Sequence, residues 1–206
     1  MPIEFERVLA AATATLEPGL ARLPRLNLGC GRDQRDGYVN LDLVSLPGAD
    51  VVARLGPVPL PFKHAAFGVV VCRDILEHVD VAPAMRDLHR VTAPGGCVVV
   101  SAVHFTSRNL YVDPTHVRGF SVRTFEFFAG GDDREWRRPY YFEFAFDAVA
   151  YAAIQFGAML GKGRFLVWDR VVEPCVNANR AVQDLYEMTG LSRIFPAANV
   201  VAVLRR

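Results

Sequence analysis

Long apolar runs are missing from this chain of 206 residues; none approaches the roughly 18 residues that a membrane-spanning helix needs. An excess of either charge is missing too. Lys and Arg total 23 against 22 Asp and Glu, for a net charge of +1, so no electrostatic case exists for a nucleic-acid or membrane partner. Cysteine is scarce. Cys30, Cys72, Cys97 and Cys175 are scattered with no C-x-x-C pair, which reads as reduced thiols in a cytoplasmic protein. The amino terminus lacks the basic start and apolar core of a secretory signal. No Cys/His/Asp cluster has metal-ligand spacing, so no metal is expected. Neither G-x-S-x-G nor G-x-x-x-x-G-K-[ST] occurs, which removes the esterase elbow and the P-loop. There is no internal repeat and no low-complexity segment. What is present, 51% hydrophobic and 22% charged residues, is ordinary globular material sized for one α/β domain.

Periodicity outlines the elements. Phe5, Val8, Leu9, Ala12 and Leu16 place one apolar stripe on a helix over 4–16, stopped at Glu17-Pro18-Gly19. Short strands are expected at 25–29, 38–43 and 50–54, and Pro57, Pro59 and Pro61 break the chain before the next. The run Phe67–Cys72 reads as a strand buried on both faces, followed by a short helix over Arg73–Val79. Asp80 suits a helix cap, with Pro83 in the first turn; Val81, Met85 and Leu88 form an apolar face, and Arg86, Asp87 and Arg90 point outward. Ala93-Pro94-Gly95-Gly96 forces a turn into a buried strand, Cys97–Phe105. Strand–helix–strand alternation predicts a mostly parallel sheet with right-handed crossovers. Beyond it, 106–120 reads as an irregular loop and 121–129 as helical. A strand is suggested within Tyr140–Phe156, a helix over 177–189, and a last strand over Val200–Leu204. The mixed-charge run Asp132–Arg138 reads as a solvated loop.

The chemistry concentrates at Leu26-Asn27-Leu28-Gly29-Cys30-Gly31 and Val39-Asn40-Leu41-Asp42. Paired glycines let the backbone approach a ligand, although tight strand exits use glycine as well. An acid ending the next strand suits the two hydroxyls of a ribose. Asp42 follows Gly31 by 11 residues. A dinucleotide site places its acid about 20 residues on, because a helix fills the gap and its N-terminus holds the pyrophosphate. The link here has no room for that helix, so the spacing favours a nucleoside cofactor without phosphates.

Those motifs resemble the first two of the class I S-adenosylmethionine-dependent methyltransferases, and are most similar to the compact bacterial branch with a shortened first crossover. Leu60-Pro61-Phe62, Leu76-Glu77-His78, Leu88-His89-Arg90-Val91 and Pro94-Gly95-Gly96 resemble the blocks that follow. Asp113-Pro114-Thr115-His116-Val117-Arg118 with Phe120 is similar to a loop of some members, and Ile194-Phe195-Pro196-Ala197 fits before the last strand. The resemblance implies a Rossmann-like three-layer sandwich with a mostly parallel seven-stranded sheet and an antiparallel last strand. It implies S-adenosyl-L-methionine as cofactor. Asn27, Leu28, Gly29, Cys30 and Gly31 would form its turn, Asp42 would take the ribose, Leu43 and Leu55 would lie near the adenine, and Cys72 and Arg73 would border the amino-acid end. Two positions depart from the pattern. Asn27 stands where many members have an acid, and Gly68 where an Asp commonly opens the fourth strand, a change expected to touch only a surface turn.

The remaining candidates carry two readings each. His104, ending the fifth strand, and His116 are the candidate catalytic bases for an attacking hydroxyl or amine, or histidines held by local hydrogen bonds. Asp113 orients one of them or starts the turn at Pro114. Arg73 pairs with a carboxylate of cofactor or substrate, or simply starts a helix. Tyr111, Trp136, Tyr140 and Tyr141 wall an acceptor pocket or belong to the core; Tyr111, Asp113 and Tyr140 are the substrate candidates. Glu77 and His78 read as a helix-end pair with local hydrogen bonds. The expected activity is methyl transfer to an oxygen or nitrogen of a small-molecule or sugar-type acceptor. A non-catalytic cofactor-binding protein and an NAD-dependent oxidoreductase are the rivals, and the short crossover opposes the second. One domain over 1–206 is expected, with an N-terminal helix in 1–24, a cofactor half in 25–105 and an acceptor half in 106–206. It would act as a monomer or homodimer, without nucleic-acid or membrane partners.

Overall fold

The computed structural model describes residues 3–130, 140–157 and 167–206. Trp136 and the Asp132–Arg138 run lie outside the described residues. Seven strands form one sheet: β1 (Arg25–Leu28), β2 (Val39–Asp42), β3 (Val51–Val52), β4 (Phe67–Arg73), β5 (Thr92–Val103), β6 (Ala148–Gln155) and β7 (Asn199–Arg205). The spatial order is β3-β2-β1-β4-β5-β7-β6. Strands β1 to β5 pair in parallel, and β7 runs antiparallel to both β5 and β6. The antiparallel last strand and the seven-stranded sheet are as the resemblance implied. Strand order reverses between β1 and β4, and a crevice opens beyond the carboxyl ends of strands at such a point.

Alternation along the central strands divides the core. Val69 and Val71 of β4, Cys97 and Val99 of β5, and Val201 and Val203 of β7 face α1 (Phe5–Ala14), which buries Phe5, Leu9 and Ala12 against them. A four-residue helix α2 (Pro18–Ala21) follows. On the other face, Val70, Cys72, Val98, Val100, Ala202 and Leu204 meet α3 (Val81–Val91). Asp80 caps α3 by accepting from the Ala82 amide at 3.3 Å, and Val81, Ala84, Met85, Leu88 and Val91 are its buried stripe. Asp87 does not point outward as expected: it is 5% exposed, accepts from the Leu60 amide at 2.6 Å and pairs with Arg90 at 2.5 Å. Arg90 in turn donates to the Phe62 and Leu60 carbonyls, so the two charges staple the proline-rich segment to α3.

Several boundaries differ from the periodic reading. The strand β5 begins at Thr92 because Gly95, at φ +78°, carries the chain through the expected turn without leaving the sheet. Gly68 is no surface feature. A side chain there would overlap the Leu20 carbonyl of α2, so its absence lets α2 seat on β4. The expected helix over Arg73–Val79 shrinks to a 3₁₀ turn, Leu76–His78, and that over 121–129 to another, Thr124–Phe128. The strand expected within 140–156 starts only at Ala148. The second half adds α4 (Asn109–Val112), a π turn (Trp168–Val172), α5 (Glu173–Val176), α6 (Arg180–Met188) and α7 (Leu191–Ile194).

Candidate active site

The turn after β1 is built from two glycines in the left-handed region, Gly29 at φ +61° and Gly31 at φ +47°. A side chain on Gly29 would also overlap Ile75, so that position needs both the dihedral and the space. Asp42, at the end of β2, clasps the turn: its Oδ2 accepts from the Gly31 amide at 2.8 Å, and its Oδ1 from the Val44 amide at 3.2 Å. Each carboxylate oxygen has a second lone pair for a ligand. No helix lies between Gly31 and Val39. That segment is held by Asn27 and Asn40 instead. Asn27 donates to the Asp33 carbonyl at 2.8 Å and to Asn40 Oδ1 at 3.0 Å, and Asn40 Oδ1 also accepts from the Arg35 amide at 2.9 Å.

Beside Asp42 opens a cleft of about 610 Å³, within the range of small-molecule sites. Leu41, Leu43, Ala53 and Leu55 give it apolar walls, with Gly29 and Asp42 at one end. An apolar slot, a carboxylate and a closely approachable backbone fit a nucleoside. A diphosphate would find no helix N-terminus directly after the glycine turn, where a dinucleotide site needs one.

The opposite rim is polar. His78 and Thr115 line the cleft, with Asp113 and His116 behind them. Thr115 Oγ1 donates to Asp113 Oδ1 at 2.6 Å and lies 2.9 Å from His78 Nδ1. The His78 and His116 rings meet edge-on at 4.5 Å. Burial, then the neighbouring His116, lowers the His78 pKa from its ordinary value. Hydrogen bonds from Thr115 hold Asp113 below the usual carboxylate range. Beneath them Glu77 is 1% exposed; its Oε1 accepts from the Val103 amide at 3.2 Å, and Oε2 has no partner among the described residues. Burial pushes its carboxyl up to about 7.

Of the expected cofactor residues, Leu28, Gly29, Asp42, Leu43 and Leu55 line the cleft, and Gly31 reaches it through its bond to Asp42. Asn27, Cys30 and Cys72 lie buried behind it, at 2%, 1% and 0% exposure. Arg73 is spent on Asp33, Glu6 and Asp74 at 3.4, 3.6 and 3.8 Å.

His104 requires a correction. The ring is fully buried; its Nδ1 accepts from the Thr106 amide at 3.1 Å, and Nε2 then donates to Glu187 at 3.1 Å. No lone pair remains for a substrate proton, so His104 ties β5 to α6. Tyr111 and Tyr140 are 77% and 76% exposed and do not line the cleft. Sequence reading missed His78 and Thr115. The signal was the Glu77-His78 pair, which gave no hint that a loop more than thirty residues later would pack against it.

Residues 26–100 match the family model described as a methyltransferase domain. That span contains every residue lining the cleft except Thr115. No curated protein matches the chain at a significant level. Among solved structures, a SAM-dependent methyltransferase from Archaeoglobus fulgidus has a TM-score of 0.53 at 16% identity, over 98% of this chain and 95% of that one. The YcgJ protein of Bacillus subtilis has a TM-score of 0.52 at 17% identity, over 98% and 99%. At these identities the likeness is one of fold. Fold and domain match together define a Rossmann-like methyltransferase domain. The chain thus carries a methyltransferase domain at residues 26–100, set in a Rossmann-like fold.

Proposed function

We propose that this chain is a class I S-adenosylmethionine-dependent methyltransferase that methylates an oxygen or nitrogen of a small-molecule or sugar-type acceptor. The observation that carries this reading is the composition of the cleft's far rim. His78 and Thr115, backed by Asp113 and His116, put hydrogen-bonding groups of both kinds beside the apolar stretch of Leu41, Leu43, Ala53 and Leu55. Such a wall suits a ligand with several hydroxyls or amines. The net charge of +1 offers no field to gather a nucleic acid.

Asp42 would accept the ribose hydroxyls, the Gly29–Gly31 backbone would approach the methionine portion, Leu43 would lie against the adenine, and Leu55 would approach its edge. Asn27, Cys30 and Cys72 act from behind, by holding the turn and the strand ends. Arg73 borders the amino-acid end. When bound, S-adenosylmethionine would supply a methyl on a sulfonium centre, which bonds to the acceptor atom as the carbon–sulfur electron pair leaves with the thioether sulfur. The protein's work is alignment and exclusion of water. Tyr111 and Tyr140 are acceptor contacts only if their segments fold over the cleft. The acceptor's proton leaves at the His78–His116 group. The chain works as one methyltransferase-like domain in the cytoplasm, as a monomer or homodimer. No described helix is long and apolar enough to cross a membrane.

The test supplies methyl-labelled cofactor and a panel of hydroxylated and amino compounds to the purified chain. Label in the small-molecule fraction, on oxygen or nitrogen, is the expected result. Label confined to added protein or RNA overturns the acceptor class, and no transfer to any acceptor in a whole-cell extract overturns the activity.

A further inference from the structure

The group His78, Asp113 and His116 holds more than a proton-accepting histidine requires. One ligand atom from each residue lies within 4.8 Å of the others. The surrounding hydrogen bonds say which atoms are spare. Thr115 Oγ1 gives its single proton to Asp113 Oδ1, so toward His78 Nδ1 it accepts, and His78 carries its proton on Nδ1. His116 Nδ1 faces the Asn109 carbonyl at 3.0 Å, which only accepts, so that ring is also protonated on Nδ1. In its neutral form each ring therefore keeps a lone pair on Nε2. Asp113 Oδ1 is taken by the Thr115 amide and hydroxyl, which leaves Oδ2, 3.9 Å from His116 Nε2. Two electron-rich atoms face each other across a gap that a cation would fill.

We propose that His78, Asp113 and His116 bind a divalent transition-metal ion at the mouth of the cofactor cleft, and that this ion takes the acceptor's hydroxyl as a further ligand. Two imidazoles and a carboxylate suit zinc, cobalt or nickel, and not magnesium or calcium, which prefer oxygen alone. Ligating histidines usually donate their other N–H to a carbonyl or carboxylate, and that outer support is already built: Asn109 holds His116, and Thr115 relays Asp113 to His78. Ligands about 2.1 Å from a tetrahedral ion stand about 3.4 Å apart, so separations of up to 4.8 Å must shorten by up to about 1.4 Å. Asp113 and His116 sit in the loop after α4, where such a movement costs little packing. His78 lines the cleft, so the open coordination positions face the acceptor.

A coordinated hydroxyl gives its proton to water more readily and keeps the oxygen's electron pair for the methyl carbon. The histidines then serve as ligands, and His116 need not act as a base. Local spacing gave no sign of this site, because 35 residues separate His78 from Asp113. The second half of the proposal rests on the acceptor reading above; the binding of the ion does not.

The experiment uses the full chain carrying Cys175→Ser, which removes the exposed free thiol as a competing ligand. After chelator treatment it is titrated with zinc, cobalt and magnesium chlorides by calorimetry, and cobalt is also followed by its visible absorption. One zinc or cobalt per chain, a cobalt spectrum without a thiolate band, and no magnesium binding are expected. His116→Ala should weaken cobalt binding at least about 30-fold, and Thr115→Val about 10-fold through loss of the outer support. Circular dichroism checks that each variant folds, and Thr115→Val keeps the test open if His116→Ala does not. Equal affinity in wild type and both variants, or no binding to wild type, overturns the site. S-adenosylhomocysteine is titrated in parallel without metal. Its failure to bind would count against the methyltransferase reading alone, and metal failure with normal S-adenosylhomocysteine binding would count against the metal site alone.

Discussion

Asp42→Asn tests the cofactor site with the smallest change of shape. In the wild type both carboxylate oxygens accept backbone amides, Oδ2 from Gly31 at 2.8 Å and Oδ1 from Val44 at 3.2 Å, and each retains a lone pair for a ribose hydroxyl. Asparagine keeps one acceptor and turns the other into an amino group. That group faces an N–H of the turn, donor against donor, and no longer accepts a hydroxyl. The loss is one hydrogen bond to a charged acceptor plus part of a second, about 2–3 kcal/mol. S-adenosylhomocysteine should therefore bind about 30- to 150-fold more weakly. Isothermal calorimetry measures this directly, and thermal unfolding of the unliganded protein reports whether the turn itself has loosened. Affinity within about twofold of wild type, in a variant that melts normally, would refute the placement of ribose on Asp42. Asp42→Ala, which removes both acceptors and the clasp on Gly31, should show at least as large a loss together with a lower melting temperature.

Two further outcomes concern stability. The Glu77 carboxyl is raised to about 7 from an ordinary 4.5, so the folded state binds its proton more tightly than the unfolded chain does. Stability should fall as pH rises from about 4.5 to 7 and level off above, a total of about 3 kcal/mol that Glu77→Gln would abolish; urea melts of both proteins at pH 5 and pH 8 check this, and a stability difference that does not change with pH sinks it. Gly68→Ala should destabilise by about 1–3 kcal/mol, because the added methyl overlaps the Leu20 carbonyl and must displace α2. An unchanged melting temperature would mean that α2 is not seated on β4 as described.

What could be read from the sequence was what lies close along it. The glycine turn, the carboxylate proposed for the ribose and the missing helix between them fall within residues 29–42, and the valine-rich central strands carry their own burial pattern. Groups assembled by tertiary contact could not be read. His104 looked catalytic because it ends a strand at the sheet's ligand-binding edge; Glu187, 83 residues later on α6, is what closes its Nε2. The reverse happened at His78, which looked like a local helix-end residue until the loop holding Asp113, Thr115 and His116 packed against it.

Asn27 shows how a departure from a family pattern becomes legible only with its neighbours in place. Its amide nitrogen donates to two acceptors at once, the Asp33 carbonyl and Asn40 Oδ1. An ionised acid at this 2% exposed position would face both of those oxygens with no proton to offer, at the cost of a buried, repelled charge. The amide is thus matched to Asn40, which spends its own carbonyl oxygen on Asn27 and the Arg35 amide and its amino group on the Arg35 and Tyr38 carbonyls. The two asparagines act as a pair that shapes the short link between β1 and β2. The partners we propose for the cofactor on this side are then the backbone of the glycine turn and Asp42, with Asn27 working through the loop it holds.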